Sequence, residues 1–256
     1  MRNGFLALSA LPSLAVLVVA ALMAGPVLAD WQIGDPCKMH YAQLPDPNGW
    51  DVKAKYTKVL ADDWLCTETG PVEDVHFWGS WYNEVVGDIR WYQISIHADI
   101  PDPDGPGPEF SKPGELLWLR IFYPPEVQVR PWGTGQQGWY DPYNQFWVEN
   151  NHINTWQYNI NTIPDPFIQE KGKTYWLDVS VMCSYGDWGW KTSISPHWGD
   201  DAVWSAYIPG EYTPWQEVRD PTTGESLDMA FVITPEPGVV VILALGSLLL
   251  RRRRRA

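Results

Sequence analysis

Four segments of this chain alternate between apolar and polar side chains with a period of two: 75–81, 92–98, 174–183 and 227–233. Successive side chains of a β-strand point to opposite faces, so this alternation indicates strands with one buried face. No stretch of ten residues shows a helical stripe of apolar side chains. Weaker patterns of the same kind predict further strands at 116–123, 154–162, 190–194 and 203–208.

The chain contains 23 Pro and 21 Gly, most of them between the predicted strands. The Pro and Gly density at 100–108 predicts a long loop, and 170–173 is a hairpin turn with Gly172 available for positive φ. The stretch from Gly133 to Pro142 is expected to be an exposed excursion. Together these patterns predict an all-β fold, a single antiparallel β-sandwich of jelly-roll type, over residues 30–234.

Charge is distributed unevenly along the chain and excludes one large class of function. Arg2 and Arg251 to Arg255 account for six of the 18 basic residues, so residues 30–235 hold 12 basic and 30 acidic residues. This net charge of −18 argues against nucleic-acid binding, which requires a basic surface. All 17 Trp lie between Trp31 and Trp215, a composition that also excludes a disordered chain.

The N-terminus has the three parts of a secretory signal peptide. A basic start at Arg2 precedes an apolar run from Phe5 to Ala24, and small side chains follow in the Val27-x-Ala29 box. Residues 1–29 are therefore predicted to be a signal peptide that is cleaved after Ala29, with export by the general secretion machinery. The alternative is an uncleaved membrane anchor.

The C-terminus, residues 235–256, also has three parts in order. Pro235-Glu236-Pro237 comes first, an uncharged run from Gly238 to Leu250 follows, and five arginines, Arg251, Arg252, Arg253, Arg254 and Arg255, stand next to the last residue. As a helix the run would span about 20 Å, which is short of a hydrocarbon core of about 30 Å. We expect a transient inner-membrane anchor with its arginines in the cytoplasm.

This C-terminal pattern resembles the PEP-CTERM sorting signal of bacterial envelope proteins. The resemblance implies removal of the tail by an exosortase, in bacteria that also make exopolysaccharide. The mature protein is then expected in the cell envelope or outside the cell. The alternative is a simple C-terminal tail anchor.

The central part of the chain resembles a second group of proteins. The motifs that carry this resemblance are His76-Phe77-Trp78-Gly79-Ser80-Trp81, Pro113-Gly114-Glu115-Leu116-Leu117-Trp118, Gly138-Trp139-Tyr140-Asp141-Pro142, Tyr175-Trp176-Leu177-Asp178-Val179 and Gly189-Trp190-Lys191-Thr192-Ser193. They are similar to motifs of uncharacterised, Trp-rich bacterial exported domains that often carry PEP-CTERM tails. The resemblance covers roughly residues 40–234. It implies one β-sandwich module and no particular activity.

Aromatic residues in and beside the Gly- and Pro-rich excursion are candidates for carbohydrate binding, because flat rings stack on sugar faces. These candidates are Trp132, Trp139, Tyr140, Tyr143 and Trp147. If Trp139 is an exposed platform, its replacement by Ala should cost less than about 1.5 kcal/mol of stability. The alternative is that these rings fill the core.

Two pairs of adjacent acids, Asp62-Asp63 and Asp200-Asp201, are predicted beside turns. Calcium binds six to eight oxygen ligands, and carboxylates at a loop could supply several of them. Calcium is accordingly the one cofactor that the sequence raises. The alternative is that these carboxylates cap loops through hydrogen bonds to backbone N–H groups.

The three cysteines are expected in an oxidising compartment, where one disulfide and one free thiol are typical. A Cys37–Cys66 bridge would hold the N-terminal segment, and Cys183 is expected to be a buried free thiol. All three could equally be reduced and buried. The five His show no metal-binding spacing, and no nucleophile elbow or phosphate loop occurs.

The sequence thus predicts a non-enzymatic exported protein of the cell envelope or extracellular matrix, with exopolysaccharide as its candidate partner. The alternative function is a polysaccharide-active enzyme, a glycoside hydrolase or lyase on a jelly-roll scaffold. Such an enzyme would need two carboxylates that converge on a cleft.

Overall fold

A computed structural model describes residues 30–103, 109–194, 196–208 and 211–234 of the chain. Its strands are β1 (Trp50–Lys53), β2 (Lys58–Leu65), β3 (Gly70–Pro71), β4 (Val75–Trp81), β5 (Ile89–Ile100), β6 (Lys112–Phe122), β7 (Gln128–Asp141), β8 (Phe146–Ile160), β9 (Ile168–Gln169), β10 (Thr174–Cys183), β11 (Trp188–Lys191), β12 (Val203–Ile208), β13 (Glu211–Tyr212), β14 (Gln216–Glu217) and β15 (Phe231–Ile233). Short 3-10 helices lie at Tyr82–Glu84, Pro124–Glu126 and Pro142–Asn144. The all-β prediction is confirmed. The predicted signal peptide and sorting segment lie outside the described residues.

The first sheet has the strand order β11-β1-β7-β8-β4-β15, and β11 also pairs with β4. Strand β4 makes this double pairing because its two halves have different neighbours on one edge. Its first half pairs with β15, and its second half pairs with β11. Strands β1, β7, β8, β4 and β11 therefore close into a ring, which we call the strand ring.

The second sheet has the strand order β13-β12-β2-β10-β5-β6, with β14 paired to β12. Its centre is the long pairing of β10 with β5, in which Leu177 lies opposite Ile96 and Val179 opposite Ile94. Strands β3 and β9 form a separate pair of two residues each. All strand pairs of the second sheet are antiparallel.

The two sheets pack face to face around one aromatic core. The Phe77 ring of β4 lies 6.3 Å from the Tyr92 ring of β5, in an edge-to-face arrangement. The Trp64 ring of β2 lies 6.2 Å from the Phe231 ring of β15. Such contacts add to the free energy of burying these large rings. The domain is thus a β-sandwich in which one sheet closes on itself.

Two features of the fold differ from the sequence predictions, and a third agrees with them. The pairing of β1 with β7 is parallel, so the sheets are not purely antiparallel. Strand β7 runs through the stretch that was expected to leave the sheet, and three register shifts along β8 accommodate its Pro and Gly residues. The predicted turn near Gly172 is confirmed, with φ of 84° at that residue.

The predicted Cys37–Cys66 disulfide is wrong. Both thiols are free, because each points to a different backbone carbonyl. The Cys37 thiol donates to the carbonyl of Met39 at 3.5 Å, and the Cys66 thiol donates to that of Glu68 at 3.2 Å. Cys183 is a buried free thiol as expected, and burial raises its pKa to about 12.

No helix in the described ranges is long and apolar enough to cross a bilayer. The uncharged run from Gly238 to Leu250, where such a segment was predicted, falls outside those ranges.

Candidate functional site

The outer face of the strand ring carries a row of aromatic side chains. Trp50 of β1 lies beside Gly138 of β7, where a Cβ atom would overlap the indole ring. The ring of Tyr140 lies 6.4 Å from that of Trp50. Trp147 lies directly opposite Tyr140 across the β7–β8 pair, and opposed residues of an antiparallel pair share a face. The three rings therefore lie on one side of the sheet.

A pocket of about 370 Å³ opens beside this row and is mostly polar. Its wall comprises Asn48, Trp50, Gln136, Gly138, Glu149, Asn150, Asp220 and Thr222. The volume lies within the range of small-molecule sites. Amide and carboxylate groups beside an indole can hydrogen-bond the hydroxyls of a sugar while the ring contacts its C–H face. We call this cavity the Trp50 pocket.

Hydrogen bonds hold the loops of the Trp50 pocket in place. The indole Nε1 of Trp50 donates to Oδ2 of Asp220 at 2.8 Å. The other oxygen of Asp220 accepts from the backbone N–H groups of Thr222 at 2.7 Å and Thr223 at 3.0 Å. Burial acts to raise the pKa of Asp220, but the hydrogen bonds from Thr222 and Trp50 outweigh it and lower this pKa. The pocket therefore contains a fixed, ionised carboxylate.

Three of the five aromatic candidates are not free platforms. Trp139 is only 2% exposed, because it projects from β7 to the side opposite Tyr140 and packs beside Tyr82 and His152. The expectation of an exposed Trp139 is therefore wrong. Its burial follows from strand alternation, since the register of β7 with β8 is regular from Trp139 to Asp141.

Trp132 and Tyr143 are also engaged by neighbouring side chains. Trp132 packs edge-on against Trp78, with the ring centroids 5.1 Å apart. Tyr143 is half exposed, but the ammonium of Lys58 lies 3.0 Å from its ring centroid. Tyr140 and Trp147 are the two candidates that lie beside the Trp50 pocket, and Trp147 is 46% exposed.

The four acids predicted as calcium ligands do not surround one point. Asp62 and Asp63 are neighbours within β2 rather than beside a turn, so their side chains point to opposite faces of the second sheet. Asp62 faces the core, where its carboxylate accepts from the Gln43 side chain at 3.0 Å and from the backbone N–H of Met229 at 2.6 Å. Its oxygens are therefore engaged inside the protein.

Asp63 faces outward into a larger cavity of about 660 Å³, which we call the acidic cavity. Asp200 also lines it and accepts from the backbone N–H of Ser111 at 2.9 Å. Asp201 forms an ion pair with Arg219 at 2.7 Å. The sequence pairs are thus brought together, but only Asp63 and Asp200 share the cavity. Within the described ranges no three His, Cys, Asp or Glu side chains are grouped as a metal site.

A family model described as Domain of unknown function (DUF7901) matches residues 39–234. The chain belongs to this family. No curated protein and no solved structure matches it. The DUF7901 domain thus includes both cavities and nearly all of the described strands.

Sequence reasoning missed most of the residues that line the two cavities of the DUF7901 domain. Trp50 and Asp220 meet across 170 positions, and no local pattern links them. Asp63, Asp99 and Glu217 of the acidic cavity likewise come from segments that are far apart in the sequence. The available signals were the pairs Asp62-Asp63 and Asp200-Asp201, each of which contributes one residue to the acidic cavity, but neither pair indicated the other residues of its wall.

Proposed function

We propose that this chain is a non-enzymatic, exported protein of the bacterial envelope or extracellular matrix that binds polysaccharide at the Trp50 pocket. The observation that carries the binding site is the Trp147–Tyr140–Trp50 row, in which Trp147 is 46% exposed, beside a pocket of amide and carboxylate groups. Export and exosortase sorting are supported by the terminal sequence patterns at 1–29 and 235–256.

The Trp50 pocket suits a neutral, hydroxyl-rich ligand rather than an anion. Its polar groups include the amides of Asn48, Gln136 and Asn150, which each offer donors and acceptors. The carboxylates of Glu149 and Asp220 accept from hydroxyls and repel anions. A sugar with several hydroxyls meets both requirements.

The binding proposal is tested by a glycan array with the full-length chain, followed by affinity measurements on the best glycan. Trp147→Ala should lower the affinity by about tenfold, a loss of about 1.4 kcal/mol. Tyr123→Ala is the matched control, since Tyr123 is 56% exposed and lies just after β6 in the second sheet. Equal losses in both variants, or binding to no glycan, would refute the proposed site.

The same samples separate binding from catalysis. After incubation with the bound polysaccharide, its chain length should be unchanged. Release of shortened products would instead support the alternative function of a polysaccharide-active enzyme. In that case the acidic cavity, with its converging carboxylates, would be the place to look for the catalytic pair.

The sorting proposal is tested on protein from the native host. Intact-mass analysis should show that residues 1–29 are absent and that the chain ends near Pro235-Glu236-Pro237. A mature protein that retains Arg251 to Arg255 would refute exosortase processing.

A further inference from the structure

The acidic cavity lies on the outer face of the second sheet and carries a large excess of negative charge. Six carboxylates line it, namely Asp63, Asp99, Asp102, Glu109, Asp200 and Glu217. Among the described residues of its wall the one cation is Arg219, whose guanidinium already contacts Asp201 and Glu217 at 2.7 Å each. The wall therefore attracts cations and repels anions.

One oxygen in this wall lacks a partner. Asp63 is 3% exposed, and its Oδ1 accepts no hydrogen bond. A buried carboxylate oxygen without a donor costs free energy, and a ligand that donates to it would recover that cost. The side chain projects outward from β2, on the face where the cavity opens. A ligand with a hydrogen-bond donor would therefore bind at Oδ1 of Asp63.

Two donors beside the cavity are already used. The indole Nε1 of Trp176 donates to Asp99 at 2.8 Å, and the backbone N–H of Ser111 donates to Asp200 at 2.9 Å. What the cavity still offers is mainly acceptors. Its ligand must therefore bring both a positive charge and several donors, and a protonated primary amine brings three.

The size and arrangement of the cavity favour an organic cation over a bare metal ion. Calcium needs six to eight oxygens at 2.3–2.6 Å around one point, as a general rule of its coordination. No such grouping of acids occurs in the part of the chain that the structure describes. A volume of about 660 Å³ instead accommodates a molecule of several rings or a long chain.

We propose that the acidic cavity binds an organic ligand through a protonated primary amine, with Asp63 and Asp99 as the receiving carboxylates. Trp198, which lines the same cavity and stacks on His40 at 4.2 Å, supplies an aromatic wall beside the charges. This site lies on the second sheet and does not depend on the Trp50 pocket. Amino sugars and linear polyamines both carry the required group.

The proposal is tested by calorimetry on the full-length chain at low ionic strength. The probes are a fully deacetylated glucosamine tetramer, its N-acetylated counterpart, spermidine and calcium chloride. The deacetylated tetramer or spermidine should bind, and their relative affinities tell an amino sugar from a polyamine. The N-acetylated tetramer lacks the charge and should bind at least tenfold more weakly at this site.

Variants assign the binding to the cavity. Asp63→Asn removes the central charge while keeping the shape of the side chain, and it should weaken amine binding at least tenfold. Glu109→Gln, at an exposed position of the wall, should weaken it by a smaller factor without a change in the core. Asp88→Asn is the control, since Asp88 is an exposed acid paired with Arg90.

Three results would overturn the proposal. The first is equal binding of the acetylated and deacetylated tetramers. The second is unchanged amine affinity in both Asp63→Asn and Glu109→Gln. The third is binding of calcium alone, which would assign the cavity to a metal.

Discussion

Two groups of buried charges in this domain are built on opposite principles. Inside the strand ring, Oδ2 of Asp51 contacts Nε2 of His152 at 2.7 Å and the ammonium of Lys191 at 3.1 Å. At the second sheet, Asp62 and Asp63 of β2 are buried near Asp228, whose carboxylate contacts the partly exposed His197 at 3.2 Å, and these three acids have no buried cation beside them among the described residues. The first group has complementary charges, whereas the second has charges of one sign.

The consequences of the two arrangements differ. Burial lowers the pKa of Lys191, but the nearby carboxylate of Asp51 opposes this shift. In the acid group, burial raises the pKa of Asp62 well above its usual value, and the charges of Asp228 and Asp63 raise it further. Opposite charges thus stabilise each other within the fold, whereas neighbouring buried carboxylates destabilise each other and bind protons more readily. The comparison separates a group whose charges compensate each other from a group of acids that raise one another's pKa values.

The largest expected effect concerns the side chain that packs over the complementary group. Trp139→Ala should lower the free energy of unfolding by 3–5 kcal/mol, toward the upper end, because it opens a cavity beside His152. Denaturant melts measure this loss. Trp147→Ala, at an exposed position of the same hairpin, should cost less than about 1.5 kcal/mol. A similarly small loss of unfolding free energy in both variants would show that Trp139 is exposed rather than buried.

Removal of the buried cation tests the complementary group directly. Lys191→Met should lower the free energy of unfolding by about 3–4 kcal/mol, because it leaves the Asp51 carboxylate buried with one partner fewer. Lys173→Met, which removes an exposed partner of Glu170, should leave the denaturation midpoint unchanged. A mild effect of Lys191→Met would show that the network contributes little beyond packing.

The pH dependence of stability tests the acid group. Unfolded Asp has a pKa of 3.8, and burial raises the pKa of Asp62 and of Asp63 well above this value. Outside this group, burial and Glu217 raise the pKa of Asp201 to about 7. Between about pH 4 and 7 the folded state therefore binds more protons, so these acids lower the free energy of unfolding as pH rises. The slope is about 1.4 kcal/mol per pH unit for each extra proton bound.

Other groups titrate in the same pH range, so the test compares the slope of unfolding free energy against pH between the wild type and single-residue variants. Burial lowers the pKa of His40 to about 4, and its contribution has the opposite sign. Asp62→Asn removes one raised pKa and should make the pH profile less steep, whereas Asp88→Asn should leave it unchanged. Parallel profiles for all three proteins would contradict the role given to like-charge burial.

The smallest expected effect concerns the thiols, which belong to neither charged group. Since Cys37, Cys66 and Cys183 are all free, the melting temperature should be the same with and without a reductant. Titration of the unfolded protein should give three thiols. A lower melting temperature in reductant would show that two of the cysteines form a disulfide.

The sequence predicted the strands better than it predicted their partners. The alternation over 75–81 and 203–208 coincides with β4 and β12. Strand β2 was missed because Asp62 places a charge on the buried face and breaks the alternation. Strand β7 was missed because local Pro and Gly signals favour a loop, while cross-strand pairing and bulges hold it in the sheet.

The candidate sites were predicted only in part, for a related physical reason. Tyr140, Trp147, Asp63 and Asp200 do line or flank a cavity. Their companions come from distant segments, and contacts of that kind depend on register and topology rather than on local composition. Successive side chains of a strand point to opposite faces. Trp139 therefore points away from the Trp50 pocket that Tyr140 flanks, and Asp62 points away from the acidic cavity that Asp63 lines.

The closure of the strand ring has a consequence for how the domain opens. A strand at the edge of an open sheet can fray while the rest stays folded, but each of the five ring strands is paired on both sides over part of its length. Amide protons in the ring should then exchange with solvent only when several strands separate together, at a free energy close to that of global unfolding. The outer strand β6 has one unpaired edge, and its amides should exchange far sooner. Under heat or mechanical load, the open second sheet should therefore lose its edge strand before the closed strand ring of the first sheet separates.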